Sequence, residues 1–360
     1  MGGRVRDALM ALEMLCKGDM MRKVLSAAGA VAVVAAIGAT VAGCGQIGML
    51  KGKMAFRDAN ALYGGENWAA AAKRYEEALA AGCVNDQCNP PEIAYAYFFL
   101  ANSYDNMYRP ARKDDPEHQA LLKKAAELYQ KASEVSPNDE YKKRALQYLV
   151  ALQKADKLNN PAEAEKIVTR LISIDPNDTT NYYQMSGLYE DASEFEKAEE
   201  QLLKAREIKP NDPEVYAQLA GFYRKRGNFD KEIEAWTTRA DKTPANPEAQ
   251  HTIAATYWDK ACVPSRENCK NMAPTSEAVK AKYIQAGLEA EDKALAIRAD
   301  YIDALIYKNL LLRSQAFLEK DVKRQQALLS EATQLQERVA EIRKRQQGEA
   351  AAAKKTGEEE

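Results

Sequence analysis

The chain has 360 residues, of which 51 are Lys or Arg and 53 are Asp or Glu, so its formal net charge is only −2. A balance this even gives no electrostatic reason to expect nucleic acid or an anionic surface as partner. The two histidines, His118 and His251, lie far apart and outside any ligand spacing, so we expect neither a metal site nor a histidine-based catalytic pair. Ala, Leu, Glu and Lys predominate after residue 50, which favours helix over strand.

The first predicted element is an export signal. Arg22 and Lys23 precede an apolar run rich in small residues, the layout of a secretory signal peptide. The run ends Val41-Ala42-Gly43-Cys44, which resembles the lipobox of bacterial lipoproteins. The resemblance implies that residues 1–43 are an upstream segment and signal, that Cys44 carries diacylglycerol, and that residues 44–51 are a tether. By the same resemblance, Gly45 after the cysteine favours the outer membrane, with the protein facing the periplasm.

Two points about this segment stay open. About 20 apolar residues are also long enough for an uncleaved transmembrane helix, although Ala and Gly make the run weakly hydrophobic for that role. Met20 and Met21 stand directly before the signal-like segment, and a start at either would give a signal of ordinary length.

Four further cysteines form two local pairs, Cys83 with Cys88 and Cys262 with Cys269. The residues between them favour turns, so each pair can close a small disulfide loop in an oxidising compartment. A shared zinc site is the alternative, but neither pair has the two-residue spacing of a zinc knuckle. A redox-active pair would need Cys-x-x-Cys at the start of a helix, and that is absent as well.

A period of thirty-four residues organises the middle of the chain. Large and small residues alternate at helical spacing, so each segment forms one apolar stripe with a small residue where a partner helix crosses. Proline follows each second helix and ends it. The matched positions are Tyr182, Met185, Ser186, Tyr189, Ala198, Leu202, Ala205 and Pro210, and then Tyr216, Leu219, Ala220, Tyr223, Glu232, Trp236, Arg239 and Pro244.

This pattern resembles the tetratricopeptide repeat. The resemblance implies an all-α, right-handed superhelical solenoid of stacked antiparallel helical hairpins. The same register extends back to Tyr148, Leu152, Ala155 and Ala164, and further upstream it needs an inserted loop from Tyr108 to Gln119. We therefore predict about six to seven hairpins over residues 52–320. A non-repetitive helical bundle is the alternative.

The C-terminal part departs from the repeat. Residues 321–345 are strongly charged with helical periodicity, and we predict a helix that caps the open end of the stack. Residues 346–360 lack a core-forming pattern, so a disordered tail is expected there.

No catalytic motif accompanies these helices. The sequence has no Gly-rich phosphate loop, no G-x-S-x-G and no H-E-x-x-H, so we expect no enzymatic activity, no catalytic residues and no cofactor.

The resemblance instead implies a concave groove, lined by the first helices, that binds proteins or peptides at the membrane, with outer-membrane or pilus assembly as the setting. An accessory role in holding envelope polysaccharide is the alternative, since aromatic rings can stack on sugars. Oligomeric state is left open. The groove positions predicted from the repeat are Phe98, Asn102, Asp105, Gln153, Tyr183, Arg224, Lys225, His251 and Trp258.

Overall fold

The computed structural model describes residues 30–261 and 276–357, and the side chains of residues 46–261 and 276–349. The side chain of Cys44, both members of the Cys262 and Cys269 pair, and most of the predicted signal lie outside what is described. The chain forms two compact units, Met1–Leu188 and Tyr189–Glu360.

The first unit consists of consecutive helices, and from α1 to α6 each packs on the next along the chain. Short connections make the two helices of a pair antiparallel. A two-stranded antiparallel ribbon, β1 (Cys83–Val84) and β2 (Gln87–Cys88), follows the first pair. The helices are α1 (Ala30–Gly64), α2 (Trp68–Gly82), α3 (Tyr95–Met107), α4 (Pro116–Val135), α5 (Asp139–Leu152), α6 (Pro161–Ile174) and α7 (Thr179–Asp191), whose last residues belong to the second unit.

The second unit continues the same plan, and here too sequential helices pack on one another. Its helices are α8 (Phe195–Ile208), α9 (Pro213–Lys225), α10 (Phe229–Lys242), α11 (Pro247–Ala261), α12 (Glu277–Ile297), α13 (Ile302–Leu318) and α14 (Val322–Gly357). The predicted fold class, all-α with stacked tetratricopeptide-like hairpins, is confirmed.

Local sequence signals set many helix starts. In six of the described helices an Asn or Asp at the N-cap accepts a hydrogen bond from a backbone N–H of the first turn, which satisfies a donor that has no partner inside the helix. In α4, α6 and α9 a proline follows the cap, where its missing N–H costs nothing. The capping residues are Asn67, Asp115, Asn138, Asn160, Asp212 and Asn228.

Alanines lie where the helices approach each other most closely. Ala78, Ala132 and Ala164 in the first unit and Ala205 and Ala220 in the second are at most 1% exposed. With only a methyl group between the backbones, the helices pack tightly, and larger apolar side chains fill the space beside each crossing. The small residues of the repeat therefore let neighbouring helices bury their apolar sides against each other.

The thirty-four-residue register holds for most helices. The second helices α6, α8 and α10 begin at Pro161, Phe195 and Phe229, thirty-four residues apart. The first helices α7, α9 and α11 begin with the same spacing.

Helix α5 is the exception, and the predicted register was wrong there. It ends at Leu152, and Ala155 lies in a turn. In that turn the N–H of Asn159, a residue with φ of 51°, donates to the carbonyl of Lys154. Asn160 must then leave the helical region because it precedes a proline.

Three other segments differ from expectation. The inserted loop ends at Asp115 rather than Gln119, because Asp115 caps α4. The described part of the predicted tether lies in α1, where Gly48 is close to the carbonyl oxygen of Ala81. Helix α14 continues to Gly357, so most of the predicted disordered tail is helical. The Ala run at residues 350–353 has the highest intrinsic helix propensity, which favours that extension.

Helix α14 packs on the hairpin before it. Val339 and Ile342 of α14 are buried with Leu305 of α13. No helix in the described ranges is both long and apolar enough to cross a membrane.

A pair of glycines lets α1 and α2 touch. A Cβ atom at Gly52 would lie 2.9 Å from the Cα of Gly82 and 2.8 Å from the Cδ1 of Ile93. The first of these contacts is with backbone, which cannot move aside as a flexible side chain can.

We expect Gly52→Ala to lower the free energy of unfolding by about 1–3 kcal/mol, the usual cost of overpacking. Gly64→Ala, in the same helix, is the control. A Cβ there meets nothing within 4 Å, so it should be neutral or slightly stabilising. Urea unfolding followed by circular dichroism measures both, and equal effects would contradict the close approach of the two helices.

Candidate binding surface

Aromatic side chains from three first helices meet on one surface of the first unit. We call Tyr63 of α1, Phe99 of α3, and Tyr141 and Tyr148 of α5 the tyrosine face. The rings of Tyr63 and Phe99 meet edge to face with centroids 5.2 Å apart, and Phe99 and Tyr141 meet likewise at 6.0 Å. Tyr148 is 38% exposed, and the other three are half-buried.

The inner edge of the tyrosine face is fixed by a hydrogen-bonded network. The hydroxyl of Tyr63 donates to Oδ1 of Asn102 at 2.6 Å, and Nδ2 of Asn102 donates to the hydroxyl of Tyr129 at 3.1 Å. Nδ2 of Asn106 also donates to Oδ1 of Asn102, at 2.7 Å. Burial, together with the nearby hydroxyls of Tyr148 and Tyr141, raises the pKa of Tyr63 above its usual value. The phenol of Tyr63 therefore stays neutral at physiological pH.

Charges beside the tyrosine face are paired. Nζ of Lys157 lies 2.5 Å from Oδ1 of Asp105, and both side chains are mostly buried. The guanidinium of Arg144 bonds Glu140 at 2.6 Å and stands over the ring of Tyr141, 5.3 Å from its centroid. The surface is thus aromatic and hydroxyl-bearing, with its neighbouring charges neutralised.

Four of the predicted groove residues lie on α3 and at the end of α5. For three of them the prediction was wrong, because their side chains are buried. Phe98, Asn102 and Gln153 are 4%, 7% and 6% exposed. Helix α3 is packed against α2, α4 and α5, so these side chains belong to the core and cannot contact a partner. The fourth, Asp105, is held by Lys157.

Sequence reasoning missed the residues that are exposed instead. Tyr63, Phe99 and Tyr141 were not among the predicted groove positions, and Tyr148 was assigned to the apolar stripe. The sequence feature that could have revealed them is the Asn-Asn-Pro sequence that ends at Pro161. Together with the Asn138 cap, it places α5 six residues earlier than the thirty-four-residue register does.

The other predicted positions lie on α7, α9 and α11. Tyr183 is half-buried on α7. Nε of Arg224 donates to Oε1 of Glu232 at 2.7 Å, and its Nη2 donates to Thr256 at 3.2 Å, while more than half of the side chain stays exposed. Lys225 pairs with Glu190 at 2.9 Å and is more exposed still.

His251 and Trp258 of α11 are only partly accessible. The Trp258 ring packs on the core between α11 and α13 and meets the ring of Tyr307 at 5.2 Å. Nδ1 of His251 lies 2.8 Å from Oε1 of Glu291, a carboxyl of α12 with no exposed surface. The rings of His251 and Trp258 thus both contact the ring of Tyr307, whereas Lys225 pairs with Glu190.

Such a surface can recognise a ligand through ring contacts and hydrogen bonds. Among the described residues, no group of three or more His, Cys, Asp or Glu side chains is placed to hold a metal ion. The predicted disulfide between Cys83 and Cys88 is present and closes the ribbon after α2.

Comparison with known proteins gives one family match. Residues 157–221, from the turn before α6 into α9, match the model of the tetratricopeptide repeat family. No curated protein sequence matches the chain.

Several solved structures are similar to the chain. The C-terminal part of a TPR repeat-containing protein from Cytophaga hutchinsonii is 17% identical, with 78% of this chain and 95% of that chain covered and a TM-score of 0.48. PilW, a widely conserved type IV pilus biogenesis factor, is 16% identical, with 69% and 94% covered and a TM-score of 0.38. YrrB, a TPR protein with an unusual peptide-binding site, is 19% identical, with 55% and 89% covered and a TM-score of 0.36.

The buried Glu291 should make stability depend on pH. Burial raises its pKa from 4.5 to about 7, against the opposing effect of His251, and Asp303 and Asp292 raise it further. Between these pH values the folded state binds a proton that the unfolded state has lost. The contribution of Glu291 to stability is therefore largest below pH 4.5, falls as the pH rises to about 7 and is level above it, a loss of about 3 kcal/mol.

Glu291→Gln should remove that loss, because the amide carries no charge at any of these pH values. Urea unfolding at pH 5 and pH 8 measures it, with Glu289→Gln, an exposed carboxyl on the same helix, as the control. If the difference between the two pH values were the same in both variants, Glu291 would not be its source.

Proposed function

We propose that the chain is a membrane-anchored scaffold that binds peptides or partner proteins through the first helices of its repeats. The observation that supports it best is the tyrosine face, where rings from α1, α3 and α5 are exposed together on a rigid stack. Partly exposed aromatic side chains are enriched where proteins bind one another, since they bury a large area at a small cost in conformational entropy. The match of residues 157–221 to the tetratricopeptide repeat fits this role. The proposal assigns no catalytic activity and no cofactor.

The second unit offers a smaller polar surface for the same purpose. Arg224 and Lys225 are exposed on α9, and each is held by a carboxylate, so their positions are fixed before a partner arrives. The half-buried His251 and Trp258 stay in the proposal as edge contacts of this surface, and Tyr183 stays as a separate contact of the first unit.

Anchoring through Cys44 at the outer membrane, facing the periplasm, is part of the proposal. The charged and apolar N-terminal segment that ends at this cysteine supports it, and so does the Cys83–Cys88 disulfide, because such bonds persist in oxidising compartments. Two or more acyl chains would hold the protein at the membrane essentially permanently. A setting in outer-membrane or pilus assembly follows from that location.

Binding of envelope polysaccharide is the second candidate. The hydroxyls and rings of the tyrosine face favour it, because sugars stack on aromatic rings. The predicted groove residue Trp258 has its ring packed against Tyr307 and the core, so it offers less surface for a sugar to stack on.

A photo-crosslinking amino acid distinguishes the two candidates. Placed at Tyr148 of the full chain in cells, it should give protein adducts. The same group at Ile174, a 52% exposed position on the second helix α6, should give few. The measurement is the mass shift of the chain on a denaturing gel. Equal adducts at both positions, or none at either, would contradict binding through the first helices.

Lipid attachment has its own test. Cells fed labelled palmitate should label the wild-type chain but not Cys44→Ser, because the thiol is the proposed acceptor. The double variant Cys83→Ser, Cys88→Ser is the control and should keep its label. Label that persists in Cys44→Ser would rule out this anchor.

A further inference from the structure

We propose that the tyrosine face binds an extended, proline-rich segment of a partner in the polyproline II conformation. This inference rests on the proposed function and specifies its ligand. Three features of the face lead to it, namely the arrangement of its rings, its unused hydroxyl donors and its lack of unpaired charge.

The rings form a ridged surface. Tyr63 against Phe99 and Phe99 against Tyr141 meet at interplanar angles of 72° and 62°. Rings that meet edge to face present both faces and edges to a ligand, and compact saturated proline rings can pack on them. Aromatic-lined grooves are the usual docking site for proline-rich segments.

The conformation of this ligand also favours binding. The ligand is already extended, so it loses little conformational entropy on binding.

Hydrogen-bond donors are available where the ligand needs them. Across the described residues, the hydroxyls of Tyr141 and Tyr148 have no hydrogen-bond partner, and both side chains are accessible. A polyproline helix has no internal hydrogen bonds, and proline lacks an N–H, so its carbonyl oxygens are acceptors without partners. Phenol donors and carbonyl acceptors are complementary.

The pairing of the neighbouring charges disfavours other ligands. An acidic or basic peptide would be desolvated here without gaining an ion pair, because Asp105, Lys157, Glu140 and Arg144 are already paired. Polysaccharide binding would draw on planar amide and carboxylate groups to hold neighbouring hydroxyls. Here the amide of Asn102 is bound to Tyr63, Tyr129 and Asn106, and Asp105 is bound to Lys157.

The test measures fluorescence anisotropy of a labelled ten-residue polyproline peptide titrated with the full chain in detergent. Binding should be saturable, and a ten-residue Gly-Ser peptide should not bind. The double variant Tyr141→Ala, Tyr148→Ala should weaken binding at least tenfold, as for central aromatic contacts. The double Phe variant keeps the rings and should weaken it only about two- to fivefold.

Tyr216→Ala is the control, because this half-buried tyrosine of α9 bonds only the carbonyl of Pro210. It should bind polyproline as the wild type does. Circular dichroism shows that each variant is folded.

Two outcomes would overturn the inference. In the first, polyproline fails to bind, or binds the double Ala variant as tightly as the wild type. In the second, the tyrosine face retains chitin oligosaccharide but not polyproline. If Tyr148 still crosslinks to proteins in cells in the first case, the scaffold function stands and only the ligand chemistry is wrong.

Discussion

Close approach of neighbouring helices is the constraint on which this structure depends. Alanines such as Ala132, Ala164 and Ala220 have almost no exposed surface, and at Gly52 even one added carbon would meet the backbone of α2. Only small residues permit this approach, so a period of small and large residues determines which helices pair. Each helix contacts chiefly its neighbours in the chain, so each repeat supports the next and a first helix keeps a free side.

Periodicity of this kind can be predicted from sequence because it is local. The starts of α6 to α11 follow from the thirty-four-residue spacing, and Asn or Asp caps mark several of them. The predicted thirty-four-residue register is wrong where another local sequence feature determines where a helix ends. At residues 153–160 the Asn-Asn-Pro turn ended α5 early, and Tyr148, which matches the repeat by its spacing, moved from the core to the surface. A single insertion in a turn therefore changes which face of a helix is available.

The candidate surface was harder to predict because burial depends on several helices at once. Phe98 and Asn102 occupy positions that an isolated hairpin would leave open, but α3 is enclosed by α2, α4 and α5. Asn102 illustrates the difficulty, since its amide joins tyrosines from α1 and α4. A polar residue in a first helix thus fits either a binding groove or a core network, and only the packed structure distinguishes them.

Polar groups in the two units are arranged in different ways. In the first, paired charges lie beside tyrosines whose hydroxyls can donate, so the proposed recognition depends on ring contacts and hydrogen bonds and should be nearly independent of salt. In the second, a carboxyl is buried beside His251 with one oxygen lacking a hydrogen bond, which costs stability when it ionises. The second arrangement therefore makes stability depend on pH near neutrality, whereas the proposed recognition at the tyrosine face uses no carboxylate.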